Sequence, residues 1–184
     1  MNRVQPIRSR QTVRDIYDYL NEKNPRDALM YAMGIYTGLR ISDILRLKVR
    51  DVKDKKYITI REKKTNKEKR IFISSFLQKT IRTYINGKKD YECLFHGKRQ
   101  INIPISRQRA YKILREAADI FGINDGIGTH TLRKTFGYHY YRKTKDIAML
   151  MELFNHSHEE VTLRYIGITQ DIVDDVYKKI DLLE

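Results

Sequence analysis

Apolar residues recur at helical spacing along most of the chain, and this pattern predicts a mostly helical protein. The first such stretch is TVRDIYDYLNEKN (12–24), whose apolar face includes Ile16 and Leu20. The next stretch, RDALMYAMGIYTG (26–38), is apolar nearly all round. Such a pattern is typical of a buried helix, so we expect this one at the centre of the core.

Local signals mark where these helices begin and end. Asn24 is predicted to cap the second helix, with Pro25 in its first turn and Gly38 at its end. The stretch SDILRLKV (42–49) then predicts a short helix that is capped by Ser42.

The spacing of apolar residues changes to every second position after residue 56. YITIR (57–61) and RIFIS (70–74) both alternate, and the polar stretch EKKTNKEK (62–69) separates them. Asn66 is suited to a turn conformation in that stretch. We therefore expect an antiparallel β-hairpin with a strongly basic tip.

Helical spacing returns for the remainder of the chain, which gives an α+β fold, mostly α with one small antiparallel β-hairpin. The helical stretches are SFLQKTIRTYING (75–87), SRQRAYKILREAADIFG (106–122), TLRKTFGYHYYRK (131–143), KDIAMLMELF (145–154) and HEEVTLRYI (158–166). We expect three parts: a basic, flexible lead-in (1–10), one domain (11–169) and a C-terminal helix (170–184).

The C-terminal stretch combines an apolar stripe with acidic charge. Ile172, Val176 and Ile180 repeat every four residues, which predicts an amphipathic helix without an obvious place in the core. The last fourteen residues carry five acidic residues and two lysines, a net charge of −3.

Charge indicates the class of partner. The 184 residues include 37 Lys and Arg against 23 Asp and Glu, a formal net charge of +14. Residues 40–70 alone contain thirteen basic and five acidic residues, a net charge of +8. A local basic surface of this kind favours nucleic acid as the partner.

Composition also indicates the compartment. The single cysteine, Cys93, excludes an internal disulfide and fits a reducing compartment. The sequence contains no apolar run of the ~18 residues that a membrane span needs, and its first residues lack the apolar segment of a signal peptide. We expect a cytoplasmic protein with no membrane partner.

Two common routes to phosphate chemistry are missing from the sequence. It contains no G-x-x-x-x-G-K-[ST] loop and no clear cluster of carboxylates for a pair of metal ions. Positioned Arg, Lys and His donors can stabilise a phosphorane instead, and a side-chain nucleophile can conserve the bond energy covalently.

Four short stretches bring such residues together in a fixed order. They are TGLRISDIL (37–45), KKTNK (63–67), HTLR (130–133) and FNHSHEEVTLRYIGI (154–168). The set resembles the signatures of the tyrosine recombinases, the phage-integrase family. Those signatures are T-G-[LM]-R, a hairpin lysine, H-x-x-R, and L-G-H followed by a tyrosine nine residues after the histidine. The resemblance extends from about residue 10 to the tail and implies the family's catalytic-domain fold for 11–169.

The resemblance implies which residues bind the phosphate. Arg40 and Arg133 resemble the family's arginine pair, and a guanidinium can hold two phosphate oxygens while staying charged. His130 resembles the first histidine, a donor or proton shuttle, and His156 resembles the second donor. Asp43, three residues after Arg40, matches an acidic family position and is expected to orient that arginine from one turn away.

The resemblance also implies the nucleophile and the general acid. Tyr165 resembles the tyrosine that forms a 3′-phosphotyrosyl bond and releases a 5′-hydroxyl. Lys64 best matches the hairpin lysine that protonates the leaving oxygen, with Lys63 and Lys67 as alternatives. An unperturbed phenol has a pKa near 10, so Tyr165 needs a base or strongly positive surroundings.

Each of these residues also has a simpler interpretation. Arg40 and Asp43 together resemble an ordinary surface ion pair on a helix. His156 and His158 form an H-x-H pair, but no cysteine or carboxylate stands at ligand spacing, so we expect no metal and no other cofactor. Most of the thirteen tyrosines fit core or rim positions, and only its spacing from His156 distinguishes Tyr165.

The sequence departs from the family's pattern in three places. Asn155 stands where the family usually has glycine, and Lys134 follows the second arginine where histidine is frequent. Most family members also carry an N-terminal helical domain that clamps the DNA, whereas only about ten residues precede the first predicted helix here. Either the chain is a fragment or it acts without that clamp.

The resemblance implies a site-specific DNA recombinase or integrase of phage or mobile-element origin, which cleaves and rejoins double-stranded DNA without a metal. It also implies a homotetramer on DNA in which each C-terminal helix binds a neighbouring protomer, unless that helix folds back on its own domain. A DNA-binding regulator that uses the same fold without strand exchange is the alternative, and a type IB topoisomerase shares the same chemistry.

Overall fold

The computed structural model of the protein describes residues 4–97, 100–123 and 126–179. Within them the chain is mostly helical with one two-stranded antiparallel sheet, which confirms the predicted fold class. The helices are α1 (Arg10–Lys23), α2 (Pro25–Thr37), α3 (Ile41–Leu45), α4 (Ser75–Ile85), α5 (Arg107–Ile120), α6 (Thr131–Thr144), α7 (Ile147–Phe154), α8 (Glu159–Ile166) and α9 (Ile168–Lys179). The strands are β1 (Tyr57–Arg61) and β2 (Glu68–Phe72).

Helix α2 is the centre of the main core, as its all-round apolar pattern predicts. Its N-terminus is capped by the Asn24 side chain, and it ends at Gly38 in a left-handed conformation, φ 63°. Gly34 lets α6 approach closely, since a Cβ there would lie 2.4 Å from the Leu132 side chain. This contact brings the end of α2, just before Arg40, next to the first turn of α6.

A second, smaller core joins α6, α7 and α8. It consists of Tyr138, Leu150, Phe154, Ile166 and Ile168. A Cβ at Gly137 of α6 would lie 2.7 Å from the Ile166 side chain, so only glycine allows the two helices this separation. The arrangement fixes α8 against α6.

The starts of α3 and β2 differ from those predicted. Helix α3 begins at Ile41, with Arg40 as the residue before it, so the predicted cap at Ser42 is wrong. Strand β2 begins two residues earlier than predicted, because the register pairs Arg61 with Glu68 directly across the turn.

The described part of the lead-in, residues 4–9, lies against α6. Ile7 is buried, and its N–H donates to the Thr135 hydroxyl at 2.9 Å. The Lys134 ammonium donates to the carbonyl of Val4 at 2.7 Å. Helix α6 therefore provides partners for backbone groups of residues 4–9.

The C-terminal helix begins two residues earlier than predicted, directly after Gly167. Asp171 forms an ion pair with Arg8 at 2.9 Å, whereas Ile172 is 51% exposed and Tyr177 is 75% exposed. Ile180 lies outside the described residues, as does the side chain of Val176. In the described ranges, every helix is too short or too polar to cross a membrane.

Candidate active site

Four of the predicted site residues line a basic cleft of about 590 Å³ between α3, the hairpin turn and the start of α6. Six of the thirteen lining residues are Arg or Lys, and none is acidic. The basic members are Arg40, Arg46, Lys63, Lys64, Arg107 and Arg133, and His130 lies beside them. A cleft with this lining favours an anionic ligand.

Arg133 is held from three sides at the first turn of α6. Its Nη1 donates to the carbonyl of Gly38 at 2.5 Å, and its Nη2 donates to the carbonyl of Phe154 at 3.3 Å. The guanidinium also lies 4.2 Å from the centre of the Phe154 ring. The residue is only 3% exposed, so the direction of its remaining donors is fixed by the fold.

Arg40 lies at the start of α3 and is oriented by Glu62, a residue that the sequence analysis did not select. The Nη1 of Arg40 donates to Oε1 of Glu62 at 2.6 Å, and Nη1 of Arg133 lies 3.9 Å from the same oxygen. The two arginines therefore share one carboxylate.

Asp43 makes different contacts from those expected. Its Oδ1 accepts from the backbone N–H of Lys63 at 3.0 Å and pairs with Arg46 at 3.3 Å. The carboxylate that contacts Arg40 is Glu62, so Asp43 instead connects α3 to the start of the hairpin turn.

His130 is the residue immediately before α6, and its Nδ1 lies 3.3 Å from the Tyr165 hydroxyl. Burial lowers the pKa of His130 below the usual 6.5, and the charges of Arg133, Lys134, Arg40 and Lys64 lower it further. The ring is thus neutral near pH 7 and can accept a proton.

His156 lies close by, in the turn after α7. Its Nδ1 is 3.0 Å from the Thr162 hydroxyl, which fixes the ring, and Asn155 before it adopts the left-handed conformation. Burial lowers the pKa of His156, as do the charges of Arg133 and Arg40. The Thr162 contact was not predicted, although Thr162 lies in the same stretch as His156, residues 154–168.

Tyr165 lies on α8 within a ring of aromatic and basic groups. The centres of the Phe154 and His156 rings lie 5.5 Å and 5.3 Å from that of Tyr165, both nearly perpendicular to it. Burial raises the pKa of Tyr165, while Arg133 and Arg40 lower it in part. Because the net shift of the Tyr165 pKa is upward, the phenol is protonated near pH 7. It needs a base to remove its proton, and His130 lies close enough to act as one.

The hairpin lysines divide into two groups. Lys64 and Lys63 lie in the turn, exposed, and both line the cleft. Lys67 is exposed but does not line it. Lys69 is half-buried, with its ammonium donating to the carbonyl of Leu153 and 3.5 Å from Oε2 of Glu62, and burial lowers its pKa.

The structure thus brings Arg40, Lys64, His130 and Arg133 to one cleft, with the Tyr165 hydroxyl beside His130 and the His156 ring beside that of Tyr165. Chemically, such an arrangement can provide a phenol, a neutral imidazole beside it and positive donors for a phosphate. Within the described ranges, no group of three or more His, Cys, Asp or Glu is placed to hold a metal.

Comparisons with known proteins concern the family and the fold of the whole chain. A family profile, Phage integrase family, matches residues 8–171. A Bacillus subtilis (strain 168) protein, "Probable integrase/recombinase YoeC", is 48% identical over 178 residues, which cover 97% of this chain and 97% of the relative.

Two solved structures share the fold. XerA recombinase has a TM-score of 0.74 at 20% identity, over 96% of this chain and 66% of its own. XerH recombinase bound to palindromic difH substrate, a post-cleavage complex, has a TM-score of 0.71 at 17% identity, over 97% of this chain and 54% of its own. The chain therefore spans between half and two thirds of these two recombinases.

Proposed function

Because this chain belongs to the phage integrase family, the family of the tyrosine recombinases, we propose that it is a site-specific DNA recombinase that cleaves DNA with Tyr165. The observation that carries the proposal is the position of the Tyr165 hydroxyl, 3.3 Å from a neutral histidine at the mouth of a basic cleft. In that position the phenol can transfer its proton to His130, and the cations of the cleft can bind the phosphate that the phenol attacks.

In the first step the Tyr165 oxygen attacks the phosphorus of a DNA phosphodiester, and His130 takes the phenolic proton. The bond from phosphorus to the 5′-oxygen breaks, and Lys64 gives that oxygen a proton. The products are a 3′-phosphotyrosyl bond and a free 5′-hydroxyl. In the second step a 5′-hydroxyl from the partner duplex attacks the same phosphorus, Tyr165 leaves, and the protons return.

Charge stabilisation comes from the fixed donors. Arg133 has donors left after its bonds to two carbonyls, and Arg40 has donors left after its bond to Glu62. Together with His156 they face the negative charge that develops on the phosphorane oxygens. The proposed reaction uses no metal. The donors named above stabilise the negative charge, and His130 and Lys64 transfer the protons.

The proposed partner is double-stranded DNA, bound by protomers that exchange their C-terminal helices within a tetramer. Support for the exchange comes from α9, which leaves Ile172 and Tyr177 exposed in the single chain. Exposed apolar side chains of this kind are suited to contact with a neighbouring protomer, and a head-to-tail contact can close into a ring. Support for DNA comes from the basic cleft and from XerH, which is bound to its difH substrate.

We further propose a phage or mobile-element origin and a cytoplasmic location. The family description, Phage integrase family, and the similarity to an integrase or recombinase of B. subtilis support this origin. The single buried cysteine fits a reducing compartment.

The test uses nicked duplexes with a randomised central site, mixed with full-length protein in EDTA at low salt. Covalent complexes are trapped with SDS, and the trapped DNA is sequenced to find the site. The proposal predicts trapped DNA with the wild type and none with Tyr165→Phe. Binding without a covalent product would overturn it in favour of a DNA-binding regulator.

A further inference from the structure

A buried carboxylate, that of Glu62, lies behind the arginine pair. Its side chain has no exposed surface, and Glu62 does not line the cleft. Side chains alternate between buried and exposed along this part of the hairpin, and Glu62 is buried like Ile58 and Ile60. A charged group in that position is costly unless several partners compensate it, so its contacts indicate what it does.

One oxygen of Glu62 faces the arginines. Oε1 accepts the hydrogen bond from Arg40 at 2.6 Å and lies 3.9 Å from Nη1 of Arg133. Because Arg133 is already bonded to two carbonyls, the carboxylate fixes the position of Arg40 relative to a guanidinium that the fold itself holds.

The other oxygen faces the hairpin turn and the turn before His156. Oε2 accepts from the Thr65 hydroxyl at 2.8 Å and from the Asn155 amide at 3.0 Å, and it lies 3.5 Å from the Lys69 ammonium. The backbone of Glu62 also closes the turn that carries Lys64, since it bonds to Lys67 and to Asn66 at 2.9 Å each.

The carboxylate is ionised in this environment. Burial raises the pKa of Glu62, but the hydrogen bond from Thr65 and the charges of Lys69, Arg40 and Arg133 together bring it below the usual value of 4.5. Three cations thus share one anion, and the fixed charge holds them at defined separations.

We infer that Glu62 is a positioning residue, which holds the arginine pair, the Lys64 turn and the turn before His156 in one arrangement without touching DNA. The inference rests on the proposed function of those groups. It also accounts for Asn155, which stands where the tyrosine recombinases usually have glycine. Asn155 tolerates the same left-handed conformation, φ 54°, and its amide adds a bond to Glu62 that glycine lacks.

The test is Glu62→Gln, which keeps the size of the side chain and removes its charge. Single-turnover cleavage at saturating protein should slow by about 10- to 100-fold, because small displacements of catalytic groups carry costs of that order. DNA affinity should stay unchanged or rise, since Glu62 lies outside the cleft and its negative charge is lost. The matched control is Glu68→Gln, at an exposed position on the same hairpin, which should cleave like the wild type.

A second variant, Asn155→Gly, removes one donor to Glu62 and keeps the left-handed turn. It should slow cleavage by itself, and the double variant should lose less than the product of the two single losses, because residues 62 and 155 are in contact. If Glu62→Gln fails to fold, the Asn155→Gly rate decides, and a rate equal to that of the wild type overturns the inference.

Other outcomes would also contradict the positioning role of Glu62. Wild-type cleavage by a folded Glu62→Gln variant, or a loss explained entirely by weaker DNA binding, would overturn the positioning role and leave the recombinase proposal intact. A wild type that forms no covalent complex would overturn both.

Discussion

The hydroxyl oxygen of Tyr165 lies 3.3 Å from Nδ1 of His130, although 35 positions separate the two residues in the chain. The contact joins α8 to the residue before α6 within one protomer. Tyr165 therefore faces the Arg40 and Arg133 of its own chain. This relationship supplies the proposed nucleophile with both its base and its positive surroundings.

The first prediction concerns pH. Because the pKa of His130 is lowered from 6.5, the ring stays neutral, and able to accept the Tyr165 proton, to a lower pH than an ordinary histidine. The second-order rate constant for cleavage, which reports groups of the free protein, should therefore reach half its plateau below pH 6.5. A half-point at or above pH 6.5 would contradict the assignment of His130 as the base.

The control for that profile is a histidine outside the site. His130→Gln should lower the plateau by about 10²–10⁴-fold, the usual contribution of a general base. His158→Gln should leave both the plateau and the half-point unchanged, because His158 is exposed and only precedes α8.

The second prediction concerns the arginine pair. Arg133→Lys keeps the charge but cannot bond to the Gly38 and Phe154 carbonyls and still present a fork to phosphate. Single-turnover cleavage should fall by about 10²–10³-fold, as when one positioned donor is lost. Thermal melting checks that the variant is folded, and Arg115→Lys, in an exposed ion pair with Asp119, is the matched control. A loss below about tenfold would rule out the proposed role.

The third prediction identifies the general acid. Lys64→Ala should slow cleavage of ordinary DNA by about 10²–10⁴-fold. A substrate with sulfur in place of the leaving 5′-oxygen should restore most of the rate, because a thiolate leaves without a proton (thiol pKa about 8.5). The same pair of substrates applied to Lys63→Ala and Lys67→Ala distinguishes the three lysines, and rescue of either of those variants instead would move the role away from Lys64.

The fourth prediction concerns assembly. Ile172→Glu places a charge on the exposed face of α9, so the single chain should remain folded while complexes of several protomers on DNA are lost. Native gels with the isolated target site measure this directly, with truncation after Thr169 as a companion. Val161→Glu is the matched control, since Val161 is exposed to a similar extent, 46%, on α8. Unaltered multiprotomer complexes would mean that α9 packs against its own domain.

Much of the fold follows from the spacing of apolar residues, because those residues respond to local rules. The two helices around Asn24 and the hairpin around Asn66 lie where helix caps and turn conformations predict them. Ser42 shows the limit of such rules. Its side chain favours a helix cap, but the backbone is already helical at Ile41, so Ser42 lies inside α3.

The proposed catalytic residues follow from their motifs, whereas the side chain that holds them in place does not. Glu62 looks like one more charge at the basic tip of the hairpin, because the sequence does not state which cations the fold will bring to it. One signal was available: the alternation that buries Ile58 and Ile60 continues to Glu62, so its carboxylate points inward. Its partners Arg133 and Asn155 are 71 and 93 positions away, and only the packing of α6 and α7 reveals them.

The residue that is joined to DNA after cleavage decides whether the protein acts through Tyr165. Covalent complexes of the wild type with a nicked target are digested with protease and nuclease, and the modified peptide is sequenced by mass spectrometry. We expect a nucleotide joined through its 3′-phosphate to Tyr165, alone among the thirteen tyrosines. A nucleotide on another residue, or one joined through its 5′-phosphate, would contradict it.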